Sequence, residues 1–173
     1  PCVGDLADFF LDTWEEETGV RLEKPPVAGP QPGGIRVEVL ETDPRDPGTD
    51  LRGVLEAAIG RTRTNCRLVT PYFIPADWLA DALLAATARG ADVQVMTAGN
   101  TDAPWARAAG RHCYGRLLRG GVRIFELYGR MLHSKTVTLD GAFCSVGTYN
   151  MDLWTSRHVL DVCLACVDAE LAR

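Results

Sequence analysis

A chain of 173 residues that is 46% hydrophobic and 24% charged, with a formal net charge of −5, has the make-up of a folded domain with one substantial core, which excludes a wholly disordered segment. No run approaches the ~18 apolar residues of a membrane span, and the N-terminus lacks the basic-then-apolar pattern of a signal peptide.

After an opening run from Cys2 to Gly19, the stretch Lys24 to Gly34 holds four prolines and three glycines and reads as a linker that sustains neither helix nor strand. Ile35 to Thr42 alternates like a strand. Asp43 to Asp50 is a Pro-containing loop whose Asp50 can cap a helix running to about Arg61. Cys66 to Thr70 follows as a buried strand. In Ala76 to Arg89 the apolar positions Leu79, Leu83 and Ala86, widened by Ala80 and Leu84, form a helical stripe that Gly90 ends. Asp92 to Met96 is the next strand, Pro104 to Leu118 a helix begun near Asp102, and Val122 to Leu127 a strand again. A hairpin over Leu132 to Thr148, a short turn or helix around Met151 to Arg157 and an apolar strand from Val159 to Val167 complete the pattern. Strands alternating with helices predict an α/β fold, a mixed sheet covered by helices on both faces.

Asp140-Gly141 between two β-rich runs predicts a two-residue hairpin turn, in which paired positions sum to 281. Leu139 then faces Ala142, Lys135 faces Val146 and His133 faces Thr148. Alternation places His133, Lys135, Thr148 and Asn150 on one side of the ribbon. That collection suits phosphodiester chemistry. A histidine titrates near neutrality and can attack phosphorus or protonate a leaving alcohol, a lysine neutralises phosphate charge, and an asparagine donates to an oxygen. A lone His and Lys on a strand are, by spacing alone, equally a satisfied polar pair.

Residues 107 to 135 hold Arg107, Arg111, Arg116, Arg119, Arg123, Arg130 and Lys135 against Glu126, a local excess of six positive charges in a chain of net −5. The split favours an anionic substrate, the alternative for the helix arginines being a solvated face. General nucleic-acid binding would want a broader basic surface. Of the six cysteines only Cys163-x-x-Cys166 has a suggestive spacing, and on a strand residues three apart face opposite ways, so free thiols are expected rather than a shared zinc.

His133-x-Lys135, Asp140 and Gly147-Thr148-x-Asn150 match in every spacing the HKD motif, and the chain thereby resembles the phospholipase D superfamily. Tyr72-Phe73-Ile74-Pro75, Ala88-Arg89-Gly90-Ala91-Asp92-Val93 and Gly121-Val122-Arg123-Ile124 are similar to its bacterial cardiolipin synthase branch. The resemblance implies a phosphatidyltransferase working through a phosphohistidine, with no metal or organic cofactor. It implies His133, Lys135 and Asp140 as the catalytic motif, with Lys135, Asn150 and Thr148 at the phosphate. In that family two such motifs supply one histidine each; here there is one.

Residues 1–23 then look like the closing helix of a preceding half, 24–34 like the linker and 35–173 like the C-terminal half, truncated at its end, with Pro1 in place of Met agreeing. The expected partners are a phospholipid, a second half in the parent chain or a homodimer mate, and a membrane surface on its cytoplasmic side; nucleic acid is not expected. A hydrolytic phospholipase D or nuclease of the same superfamily, and a non-catalytic lipid-binding or fold-completing half, are the alternatives.

The hairpin puts Asp140 at the turn, about 23 Å along an extended strand from His133, so its reading from the residues is structural. Relatives orient the histidine with a glutamate eleven residues beyond the motif asparagine, where this chain has Asp161. A carboxylate in an apolar strand is costly unless paired, the alternative being an edge position reaching water. Relatives also carry an asparagine near Val159, from which this chain departs. Tyr72 lines the site mouth or simply packs.

Overall fold

The computed structural model describes residues 2–29, 34–44 and 51–172. Its elements are α1 (Cys2–Thr18), β1 (Val37–Thr42), α2 (Leu51–Arg61), β2 (Asn65–Val69), α3 (Asp77–Ala88), β3 (Asp92–Ala98), α4 (Pro104–Arg119), β4 (Arg123–Leu127), β5 (Thr136–Leu139), β6 (Phe143–Gly147), α5 (Thr155–His158) and β7 (Asp161–Val167). From β1 onward the elements fall close to where hydrophobic period, breakers and turn signals predict them, while α1 coincides with the opening run that only the resemblance read as a helix. The expected cap at Asp50 lies outside the described residues.

The seven strands form one mixed sheet in the order β1-β7-β6-β5-β2-β3-β4. β2, β3 and β4 run parallel and the other pairings are antiparallel. The α/β class and the mixed sheet are as expected. Alternation turns Leu40, Cys66, Leu68, Val93, Val95, Val137, Leu139, Cys163 and Ala165 into the core, where Leu51, Leu55 and Ile59 of α2 and Leu79, Leu83 and Ala86 of α3 meet them. Leu117 of α4 joins the same core. Gly110 of α4 lies against the Phe73 carbonyl, where a Cβ would come within 2.5 Å of the oxygen.

The two faces are covered unequally. α1 packs on β1, and its Asp5 and Asp12 lie close enough to Glu41, which points away from the core, to raise that carboxyl after burial has done so. The middle of this second face stays open, with Met96, Phe125 and Val146 exposed. Beyond α1 the chain is irregular to Gly29 and is tied back by Arg21 to Asp12 at 3.0 Å and by Lys24 to Asp8 at 2.6 Å.

The hairpin differs from the expected register by one residue. Asp140 and Gly141 both adopt positive φ, 54° and 62°, and Ala142 N–H closes the turn on the Leu139 carbonyl at 3.0 Å. The ladder nevertheless begins at Phe143 opposite Leu139 and continues with Thr136 opposite Val146, so pairs sum to 282. Ala142 is the extra residue. Its carbonyl accepts the Asp168 N–H at 2.7 Å, so the neighbouring strand β7 claims it. A one-residue shift exchanges the faces of one strand, and the expected four-residue side of the ribbon does not form.

Candidate active site

Because β5 and β7 start, and β2, β3, β4 and β6 finish, at the same edge of the sheet, the loops leaving that edge gather the motif residues that strand alternation alone would separate. His133 and Ser134 precede β5 and are exposed. Thr148, Tyr149 and Asn150 follow β6. Thr70 and Tyr72 follow β2, and Asp161 opens β7.

Lys135 is only 8% exposed, and its ammonium donates to the His133 carbonyl at 3.0 Å. It sits in line with Gly147, whose N–H donates to the Lys135 carbonyl at 3.2 Å. Asp161, 4% exposed, accepts from the Thr148 hydroxyl at 2.5 Å, while its second oxygen has no partner. Burial lowers the Lys135 pKa, against the pull of Asp161, and burial raises that of Asp161, against Thr148 and Lys135. Each buried charge therefore depends on the other.

Asp161 thus faces Lys135 and Thr148. Among the described residues it makes no hydrogen bond to the His133 ring. The carboxylate whose charge state responds to His133 is Asp102, held below the usual range first by the hydrogen bond from Tyr72, which donates at 2.6 Å. That bond in turn pushes the Tyr72 phenol up to about 12. Asp102 was expected only as a helix start; the α4 N-cap is Ala103, without a side-chain cap, and Thr101 Oγ1 accepts the Ala103 N–H at 3.0 Å. No spacing in the sequence marks Asp102, because its link to Tyr72 spans 30 residues.

Asn150 accepts the Thr70 hydroxyl on its carbonyl, and its side-chain oxygen is buried without a partner. It lines a cavity of about 610 Å³ with Tyr72, Ile74, Ala103, Trp105, Ala106, Asp152, Trp154, Thr155 and Val159. The walls are chiefly apolar. Trp105 and Trp154 stand at the rim, 73% and 69% exposed. Asp152 is itself satisfied, accepting from Thr155 N–H and Oγ1, both at 2.7 Å.

Asp140 lies at the far end of the hairpin. Its carboxylate accepts from Arg63 N–H at 2.9 Å, Thr64 N–H at 2.8 Å, Thr64 Oγ1 at 2.9 Å and Asn65 N–H at 3.0 Å. Burial works against its ionisation, yet these donors hold it at about 2. It fastens the hairpin turn to the α2–β2 loop.

Three arginines of the basic stretch are paired in place. Arg111 pairs with Glu126, Arg116 with Asp81, and Arg123 with Asp92. Arg107 donates to the Gly99 carbonyl at 2.5 Å. Part of the segment's positive charge is therefore spent on the protein itself.

The fold and the edge-gathered site define a class first. The chain superposes on the phospholipase D family member Nuc from Salmonella typhimurium with a TM-score of 0.65 at 20% identity, covering 80% of this chain and 88% of that one. It also superposes on phosphatidylserine synthase from Haemophilus influenzae, with a TM-score of 0.59 at 17% identity over 78% of this chain and 35% of that one. Likenesses this distant establish the fold alone. Residues 55–173 match the family described as cardiolipin synthase, phospholipase D-like domain, and the chain belongs to that family. It is 35% identical over 167 residues to cardiolipin synthase A of Yersinia pseudotuberculosis and of Yersinia pestis, alignments that cover 92% of this chain and 34% of each relative. The chain thus spans about a third of those relatives' length.

Proposed function

We propose that this chain is one half of a phosphatidyltransferase of cardiolipin synthase type, with residues 1–23 closing a preceding half, 24–34 linking, and 35–173 forming the domain that carries His133. The observation that supports a lipid rather than a nucleic-acid substrate is the apolar cavity of about 610 Å³ opening beside Asn150. A chamber walled by Ile74, Trp105, Trp154 and Val159 accommodates the glycerol and upper acyl portion of a phospholipid, whereas a nucleic-acid strand calls for unpaired cations along its path. Arg111, Arg116 and Arg123 are engaged by carboxylates and Arg107 by the Gly99 carbonyl.

In this reading the imidazole of a second half, in the parent chain or a homodimer mate, attacks phosphorus while His133 protonates the departing alcohol. The acceptor alcohol then displaces the phosphohistidine as His133 takes its proton. Lys135 and Asn150 hold the non-bridging oxygens. The phosphate supplies the charge that makes a buried ammonium favourable, and Asn150 donates to it from Nδ2, which in the free chain reaches only Thr155 Oγ1 at 3.5 Å. Thr148 positions Asp161 beside Lys135, and Asp140 serves the hairpin. The parent protein works at the cytoplasmic side of a membrane.

The test is lipid-product analysis with phosphatidylglycerol as donor, using the full two-half protein and its His133→Ala variant. Transfer should fall by roughly 10³-fold in the variant, within the range for loss of a general acid-base group. Unchanged turnover would remove His133 from the chemistry, and nucleotide release without lipid transfer would move the assignment to a nuclease.

A further inference from the structure

Cys144 on β6 and Cys166 on β7 are register partners, both free, with sulfur atoms 3.1 Å apart. The bonds from Asp168 N–H to the Ala142 carbonyl and from Thr148 N–H to the Val162 carbonyl, 2.7 and 2.9 Å, mark even-numbered β6 positions as the hydrogen-bonded pairs of this ladder. Cys144 and Cys166 therefore form such a pair, whose Cα atoms lie about 5.5 Å apart. That is the middle of the roughly 4.4 to 6.8 Å window in which a disulfide closes without backbone movement.

The pair lies in the row of Thr138 and Arg67, on the face that α2, α3 and α4 leave open. Cys144 is half-buried and so within reach of a small oxidant. Cys163 cannot compete, because it faces the core opposite Gly147. The sequence separation of 22 is also informative, since the enclosed segment carries Thr148, Asn150, α5 and Asp161.

We propose that Cys144 and Cys166 are a reversible thiol–disulfide modification site, oxidised by a hydroperoxide, that staples the ends of the segment carrying the site residues. One thiolate attacks hydrogen peroxide, the O–O bond breaks, and the departing hydroxide takes up the proton the thiol released, giving a sulfenic acid and one water. The second thiol sulfur attacks the sulfenic sulfur, the S–S bond forms, and hydroxide leaves with the remaining proton as a second water. Two electrons pass from the sulfurs to the peroxide, and an excess of small thiol reverses the reaction. Burial, then the contact with Cys166, raises the Cys144 thiol and keeps the couple slow toward mild oxidants.

The experiment treats the 173-residue chain with hydrogen peroxide, counts thiols after denaturation and maps the non-reduced peptides. The expected result is the loss of two of six thiols, one peptide joining Cys144 to Cys166 within a monomer, a melting temperature higher by about 5 °C, and reversal by dithiothreitol. Cys144→Ser and Cys166→Ser should each abolish the cross-linked peptide. A bond to any other cysteine, an intermolecular bond, sulfinic acid at Cys144 without a cross-link, or an unchanged thiol count would overturn the proposal, and mapping of the unmutated chain decides it even if a serine variant fails to fold.

Discussion

Asp140 sits at the hairpin turn, and its carboxylate is taken up by the neighbouring backbone. Four donors converge on its carboxylate from the α2–β2 loop, and they depress its pKa from 3.8 to about 2. A depressed carboxylate contributes stability that is present above its unfolded value and lost as pH falls through its folded one. The acid limb between about pH 4 and 2 should therefore flatten in Asp140→Ala, with stability at pH 7 lower by about 1–2 kcal/mol. Thermal melts of both proteins across that window check this. Thr148 belongs to the same scale. In Thr148→Val the one Asp161 oxygen that has a partner loses it, leaving the buried carboxylate wholly unsatisfied, so a cost of about 1–3 kcal/mol is expected by denaturant titration. Thr148→Ser should recover most of it.

At the scale of elements, the β6–β7 ladder is the part least tolerant of change. Gly147 lies so close to β7 that a Cβ would overlap the Val162 carbonyl oxygen and the Cys163 Cα. Both are backbone atoms that cannot swing aside. Gly147→Ala should push the strands apart, cost at least about 1–3 kcal/mol, and displace Thr148 from Asp161. Hydrogen exchange at the Thr148 amide, which donates to the Val162 carbonyl at 2.9 Å, is the direct readout. The same ladder explains the register shift. A turn prediction sees only Asp140 and Gly141, whereas Ala142 is drawn off by Asp168, 26 residues later.

At the scale of the whole molecule, the proposed reading calls for a second half, and among the described residues part of one sheet face is uncovered. Two-step displacement through phosphohistidine needs a second imidazole, and Met96, Phe125 and Val146 leave apolar surface open on the face away from α2 and α3. The isolated chain should show phosphodiesterase activity only as a dimer, its specific activity rising with concentration in step with sedimentation. Full activity from a strictly monomeric species would contradict a shared site.

The order of helices and strands was legible in the residues, because period, breakers and turn signals are local. The family was legible too, because the spacing of a motif survives in a linear string. Alternation predicts His133, Lys135, Thr148 and Asn150 on one side of a ribbon; they lie instead where the chain enters β5 and leaves β6, at one edge of the sheet. Asp161 turned to Lys135 and Thr148, Asp102 accepted the Tyr72 hydroxyl, and Cys144 met Cys166. Each of those pairings depends on register between distant strands or on loops meeting at one edge. Both are settled by competition among neighbours for backbone hydrogen bonds and core volume, which only the folded chain resolves.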